Sequence, residues 1–369
     1  MELKGKRILL VSPQTWEANK VSKHHYALEL AERGAQVFFL DPPGKRKGRE
    51  VFRSKEELAP GIRRVIHEAP LQGLRFLPGF IRRPLMRGQI RRLEKACGIE
   101  GFDIVWSFEG SRFFELSLFG EDRLKLFHMV DLVQDQNLSK VAGTADLALC
   151  TTVFIEAKLA PYTGRLVRIP HGYRPGGTGV EEGVRKEEGV QVGYLGNLSI
   201  PFLDRELILE LVDRFPPHCF HFFGPGDREN DPFLRELGTR DNVFLHGPLP
   251  AERVLGHLAA MDLLLILYDA DRYSMQVASP HKMMDYLASG KPIVATWMEE
   301  YSDRTELIRM VERRDDFIPA FEEVIENLEE WNTPELQERR KAIAEAQSYD
   351  KLLDRILEKA REAKPEFFR

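Results

Sequence analysis

Cysteine is scarce in this sequence: Cys97, Cys150 and Cys219 are the only three, far apart and odd in number. No Cys-x-x-Cys or Cys/His cluster accompanies them, which argues against a disulfide framework and against a structural zinc site. Long apolar runs are missing too. Nothing approaches the roughly 20 residues that a membrane-spanning helix needs, and the opening MELKGKRILLVSP carries only the short run ILLV, a strand and not a secretion signal. These absences point to the cytoplasm. GxGxxG does not follow the first strand of either half, and GxxxxGK with a following Ser or Thr occurs nowhere, so dinucleotide-dehydrogenase and P-loop readings lose their main support. No DxD-like metal motif is read either; Asp269-Ala270-Asp271 follows a strand but is not taken as a metal site.

What the chain does have is a globular balance, 43% hydrophobic and 30% charged residues. Its 369 residues suit two domains better than one core. Strand, helix and strand patterns alternate from RILLVSP (7–13) through HHYALELAERG to QVFFLDPP, which is a βαβ unit of a parallel sheet. Further strands are expected at 102–108, 123–130, 145–151 and 165–170. A Gly-rich, charged stretch then reads as a linker, and the alternation restarts at VQVGYLGNL. The expected division is 1–172, a linker over 173–189, a second domain over 190–345, and a C-terminal amphipathic helix over 346–369. The net charge of −5 is uneven: Pro42 to Lys95 holds 15 basic against 5 acidic residues.

In open parallel sheets ligands bind beyond the carboxyl ends of the strands, where loops meet helix N-termini. The second half offers GNLS with Gly196 and Asn197, GPGD with Gly224 and Gly226, and SPHKMMDYLASGKPIVAT from Ser279. In the last, Ser279 is a plausible N-cap and Pro280 an early helix residue. Free N–H groups and the positive dipole end favour a phosphate, and Lys282 adds a cation. Asp285, one turn in, would repel phosphate but accept hydrogen bonds from hydroxyls. Phosphate beside vicinal hydroxyls is the layout of a nucleotide sugar. The bland alternative is an i,i+3 surface ion pair between Lys282 and Asp285.

The order of these motifs resembles GT-B glycosyltransferases near the family-4 type, over nearly the whole chain. SPHKMMDYLASGKPIVAT resembles the segment in which a Glu binds the donor ribose, with Asp285 at that position. VGYLGNL resembles the first strand and glycine loop of the donor domain, HFFGPGD the next strand and loop, and DNVFLHGPLPAERVLGHLAAMDLLLILY the base pocket. HHYALELAERGAQVFFLDPP resembles a bacterial polysaccharide and teichuronic-acid subset. The resemblance implies an α/β fold of two Rossmann-like doubly wound domains facing across a cleft, with the C-terminal helix returning to the first. It also implies sugar transfer from a nucleotide sugar, a UDP-sugar being expected, as substrate and without a further cofactor or metal. Departures from the pattern are specific. The family's first Glu falls on Val277, its loop Arg on Asn197, its loop Lys has Arg205 as nearest candidate, and its His-Asp pair reads Val130-Asp131.

In the first half, Asp131 at the end of a strand is the expected general base. His25 at the start of the first helix is a second catalytic candidate, weighed against a capping role. Glu109 is a weaker rival base and His128 a core histidine; Lys23 could contact phosphate, but is read as a solvated lysine. The segment 73–96, GLRFLPGFIRRPLMRGQIRRLEKA, mixes Arg pairs with Leu, Ile and Phe, which suits an amphipathic element on an anionic membrane better than a nucleic-acid surface. The expected acceptor is a hydroxyl of a membrane-associated glycan or glycolipid in surface polysaccharide synthesis. A sugar-nucleotide epimerase of the same fold and a non-catalytic nucleotide-sugar-binding protein are the alternatives.

Overall fold

The computed structural model describes residues 3–17, 20–44, 50–68, 71, 73–132, 137–175 and 188–369. Most of the expected linker, 176–187, lies outside these residues. The chain forms two compact units, Met1–Pro170 with Tyr349–Arg369, and His171–Ser348.

The first unit is built on β1 (Arg7–Val11), β2 (Gln36–Leu40), β3 (Val51–Ala59), β4 (Ile62–Glu68), β5 (Ile104–Ser107), β6 (Leu124–Met129), β7 (Leu147–Cys150) and β8 (Leu166–Arg168). Their order in the sheet is β3-β4-β2-β1-β5-β6-β7-β8. All pairs are parallel except β3 with β4. The central strands are apolar on both faces because helices cover both, as parallel sheets require. The β3–β4 hairpin has no counterpart in the sequence reading. It sits at the sheet edge, where charged residues on alternate positions dilute the strand signal. Helices α1 (Ser22–Glu32), α2 (Gly79–Cys97), α3 (Leu138–Thr144) and α4 (Val153–Leu159) flank the sheet.

The second unit carries β9 (Gln191–Leu195), β10 (Cys219–Phe223), β11 (Val243–Gly247), β12 (Leu263–Ile266), β13 (Ile293–Thr296) and β14 (Arg309–Val311), all parallel in the order β11-β10-β9-β12-β13-β14. Around it run α5 (Arg205–Arg214), α6 (Pro232–Leu237), α7 (Ala251–Ala259), α8 (Ala270–Val277), α9 (Lys282–Ser289), α10 (Phe317–Glu326), α11 (Leu328–Trp331) and α12 (Pro334–Ala346). Asp269 of the Asp-Ala-Asp stretch caps α8, its carboxylate accepting from the Arg272 amide at 3.1 Å.

The chain then returns to the first unit as α13 (Tyr349–Ala363), whose apolar side packs on α1. Arg33 of α1 bonds the Asp350 carbonyl at 2.7 Å and pairs with Asp354. Lys364, just past the helix, donates to the Arg123 carbonyl and Asp146 at 2.6 and 3.2 Å.

Candidate active site

In the second unit three strand ends are stitched together by their loops. The Gly196 amide donates to the Phe223 carbonyl at 2.8 Å, Gly224 to Gly247 at 2.7 Å, and Leu198 to Pro225 at 2.9 Å. The crossing is so close that a Cβ on Gly224 would lie 1.9 Å from the Gly196 carbonyl oxygen. Only glycine fits there, and with φ near 150° at both residues the backbone itself favours it. Gly226 sits under Leu234, 2.6 Å from where its Cβ would be. Asn197 is exposed and folds its side-chain carbonyl onto the Ser199 amide at 2.8 Å.

Helix α9 is pinned beneath these loops by Tyr286. Its hydroxyl accepts from the Leu195 amide at 2.8 Å and donates to the Leu265 carbonyl at 3.0 Å. Lys282 opens this helix and is buried. Its Nζ lies over the Tyr194 ring at 3.7 Å and the Tyr268 ring at 4.9 Å, and would be 2.6 Å from a Cβ on Gly196. Among the described residues it has no hydrogen-bond partner. Burial pushes the amine well below its usual range. Asp285, half-buried, is pushed up to about 7 by burial. The two form no ion pair among the described residues, which removes the surface-pair alternative. A buried amine without an anionic partner and a carboxyl raised to about 7, one turn apart, are what a binding site keeps and a stability-optimised core does not.

Three expectations are corrected here. Ser279 is not the helix cap. The helix begins three residues later, after His281 in helical geometry, and the Ser279 side chain bonds Tyr301 instead. Pro280 stands in the turn before α9, its carbonyl accepting from the Met283 amide at 3.1 Å. Arg205, nearest candidate for the missing loop lysine, donates from both terminal guanidinium nitrogens to Asp231, at 3.0 and 2.9 Å.

The first unit holds a cavity of about 920 Å³ at the carboxyl ends of its strands. Asp131, exposed in the loop after β6, and Lys23, from the first turn of α1, line it together. Asp131 accepts no hydrogen bond from any described residue. Lys23 is only 3% exposed, a correction to its reading as solvated. Burial lowers its pKa, opposed by the charge of Asp131. Glu109, the rival base, is spent. It takes Arg112 Nε at 2.7 Å and the Ser111 and Arg112 amides at 3.1 and 3.2 Å. Arg112 is itself clamped by the Asp41 and Ser12 carbonyls at 2.6 and 2.8 Å. Phe113 beside them has φ 46°, the one positive value at a non-glycine among the described residues, a strain that packing must hold.

The histidines divide. His24 caps α1: its Nδ1 accepts from the Val21 amide at 3.2 Å and its Nε2 faces the Thr15 carbonyl at 3.0 Å. Burial takes its pKa down to about 4, so it stays neutral. His25 stacks on Tyr349 of α13, ring centroids 4.7 Å apart, and is not among the residues lining the cavity. His128 is enclosed by Trp106 and Phe108, and burial takes it to about 3. Tyr194, Tyr268 and Tyr286 were missed by the sequence reading. The signal available was Tyr194 two residues before the glycine of VGYLGNL, on the strand that feeds the loop.

No family model matches the chain. It is 30% identical over 175 residues to a Bacillus subtilis (strain 168) protein provisionally named the teichuronic acid biosynthesis glycosyltransferase TuaH. The match covers 46% of this chain and 43% of that protein, so the chain aligns with less than half the length of this relative. Among solved structures it is similar to sucrose-phosphate synthase from Thermosynechococcus elongatus, with TM-score 0.67, 13% identity, and coverage of 97% of this chain and 98% of that one. It is also similar to Anabaena HepE in complex with UDP and glucose, with TM-score 0.61, 15% identity, and coverage of 95% and 98%. The lipopolysaccharide outer core galactosyltransferase WaaB, in its apo form, gives TM-score 0.59 at 14% identity over 95% and 99% of the chains. At such identities the likeness fixes the fold, and that fold is the one of GT-B glycosyltransferases.

Proposed function

We propose that this chain, which has the GT-B glycosyltransferase fold, moves a sugar from a UDP-sugar to a hydroxyl of a membrane-associated glycan or glycolipid in surface polysaccharide synthesis. The observation that carries this reading is Lys282, a buried amine with no anionic partner among the described residues, set against the glycine loops of β9 and β10. A diphosphate on those loops would supply the missing partner. Asp285 would accept the ribose hydroxyls. Lys282 and backbone N–H groups would meet the charge of the leaving diphosphate, so the reaction needs no metal for that purpose. In the first unit Asp131 is the carboxylate left free to take the acceptor proton, because Arg112 occupies Glu109. A base on the acceptor would make the reaction an inverting displacement. The relative named for teichuronic acid synthesis supports the polysaccharide setting.

The basic segment supports the membrane part. Among the described residues no helix is long and apolar enough to cross a membrane. However, Phe76 and Phe80 are 73% and 78% exposed beside Arg75, Arg87 and Arg91. Such a surface would hold the protein peripherally on an anionic leaflet.

Calorimetric titration with UDP tests the donor half. Asp285→Ala should weaken binding by about 1–3 kcal/mol, the cost of losing a charged hydrogen-bond partner. Unchanged affinity would remove the assignment.

A further inference from the structure

Resting on the reading of the first unit as the acceptor half, we propose that its cavity houses a hydrocarbon chain, and that the acceptor is therefore a lipid carrying the reacting hydroxyl on its head. The cavity's polar groups are nearly all spent on one another. Glu109 and Ser111 are bonded together and to Arg112, which the Asp41 and Ser12 carbonyls hold. His67 and Gln89 share Glu50 at 2.8 and 2.6 Å, and Asn137 donates to the Gly110 carbonyl at 3.1 Å. Lys23 and Asp131 remain, and besides them only the exposed Arg75 and the Nδ1 of His67 are without a partner among the described lining side chains. A sugar filling this space would leave most of its hydroxyls without partners, a desolvation cost that carbohydrate sites avoid.

The apolar part of the wall, the larger part, includes Leu74, Met86, Phe113, Phe114, Met129 and Leu138. At about 920 Å³ the space is at the upper end of ligand pockets, which run to roughly 1,000 Å³. Its rim is formed by residues that line the cavity and also face solvent, Leu71 at 45% and Phe76 at 73% exposure. Phe80, Pro84, Arg87 and Arg91 continue from that rim along one stripe of α2, at helical spacing. Arg75, Arg87 and Arg91 form no ion pair with any described residue, so three cations are available to an anionic head or bilayer at the entrance. A largely apolar chamber, an aromatic rim and cations at and beyond that rim match a lipid whose tail fills the chamber and whose head meets Lys23 and Asp131.

Hexyl, octyl and decyl β-glucosides, titrated below their micelle concentrations into the full chain, test this. Affinity should rise with chain length, by up to about four-fold per methylene for full burial. Met86→Trp, which fills part of the chamber, should flatten the gradient while UDP affinity is unchanged. Leu71→Arg at the rim is the second variant if the first does not fold, and Tyr162→Ser, exposed away from the cavity on the same unit, should leave the gradient intact. No gradient in the wild-type chain, or the same gradient in the filled variants, overturns the proposal. UDP binding is read in the same samples, so a failed donor site and a failed lipid chamber are separate results.

Discussion

Burial lifts the Asp285 carboxyl to about 7, and this ties ligand binding and stability to pH in opposite senses. Hydroxyls donate to the carboxylate and not to the acid, so UDP affinity should fall as pH is lowered from 8 to 6. Asp285→Asn should flatten that limb at a lower affinity. Stability runs the other way. In the folded chain the group holds a proton that the unfolded chain, with its ordinary value near 3.8, has already released. Folding stability contributed by this group therefore declines as pH rises from about 4 to about 7 and is flat above. Asp285→Asn should stabilise the empty protein at pH 8 by on the order of 1–3 kcal/mol, with the difference vanishing below pH 4. Thermal unfolding at the two pH values measures it. A variant less stable than wild type at pH 8 would mean that an unseen partner holds the carboxylate. Lys282 follows the same logic with the sign of a base: diphosphate binding should raise its pKa and take up a proton.

At the scale of elements, α2 has two jobs on two faces. Met86, Ile90 and Leu93 are buried in the core. Arg82 and Arg83 both reach Glu115, at 2.6 and 2.8 Å, and Arg92 pairs with Glu50. Burial pushes the Glu115 carboxyl up, but the two arginines outweigh it and hold it below the usual range. The Arg pairs, which in the sequence look like membrane charge, are thus partly structural. Sedimentation with anionic liposomes should show salt-sensitive binding that falls when Arg75, Arg87 and Arg91 become Gln, or when Phe76 and Phe80 become Ser. Binding equal on neutral vesicles, or none, would contradict the docking role. These pairings also show why α9 and its loops were legible in the sequence while other parts were not. The signals of α9 are local: a charged first turn, a terminal glycine and a following β-branched run, although Ser-Pro placed its start too early. The bond of Arg205 to Asp231, the lock of Arg82 and Arg83 on Glu115, and the burial of Lys23 depend on partners distant in sequence. Nothing in spacing announces them. Helix α8 was unread because few of its residues are apolar, only Val277 being buried.

At the scale of the molecule, the account joins a nucleotide-binding unit to an acceptor-binding unit and assigns the chemistry to Asp131. The most direct measurement is release of UDP from a panel of UDP-sugars, with and without a bacterial lipid extract, by wild type and Asp131→Asn. The account predicts release that requires the extract, and a loss of about 100-fold or more in the variant with UDP affinity intact. Interconversion of UDP-sugars without UDP release would identify an epimerase. Binding without turnover on any donor would identify a carrier. Either result would contradict transfer, and near-normal turnover in Asp131→Asn would contradict the base.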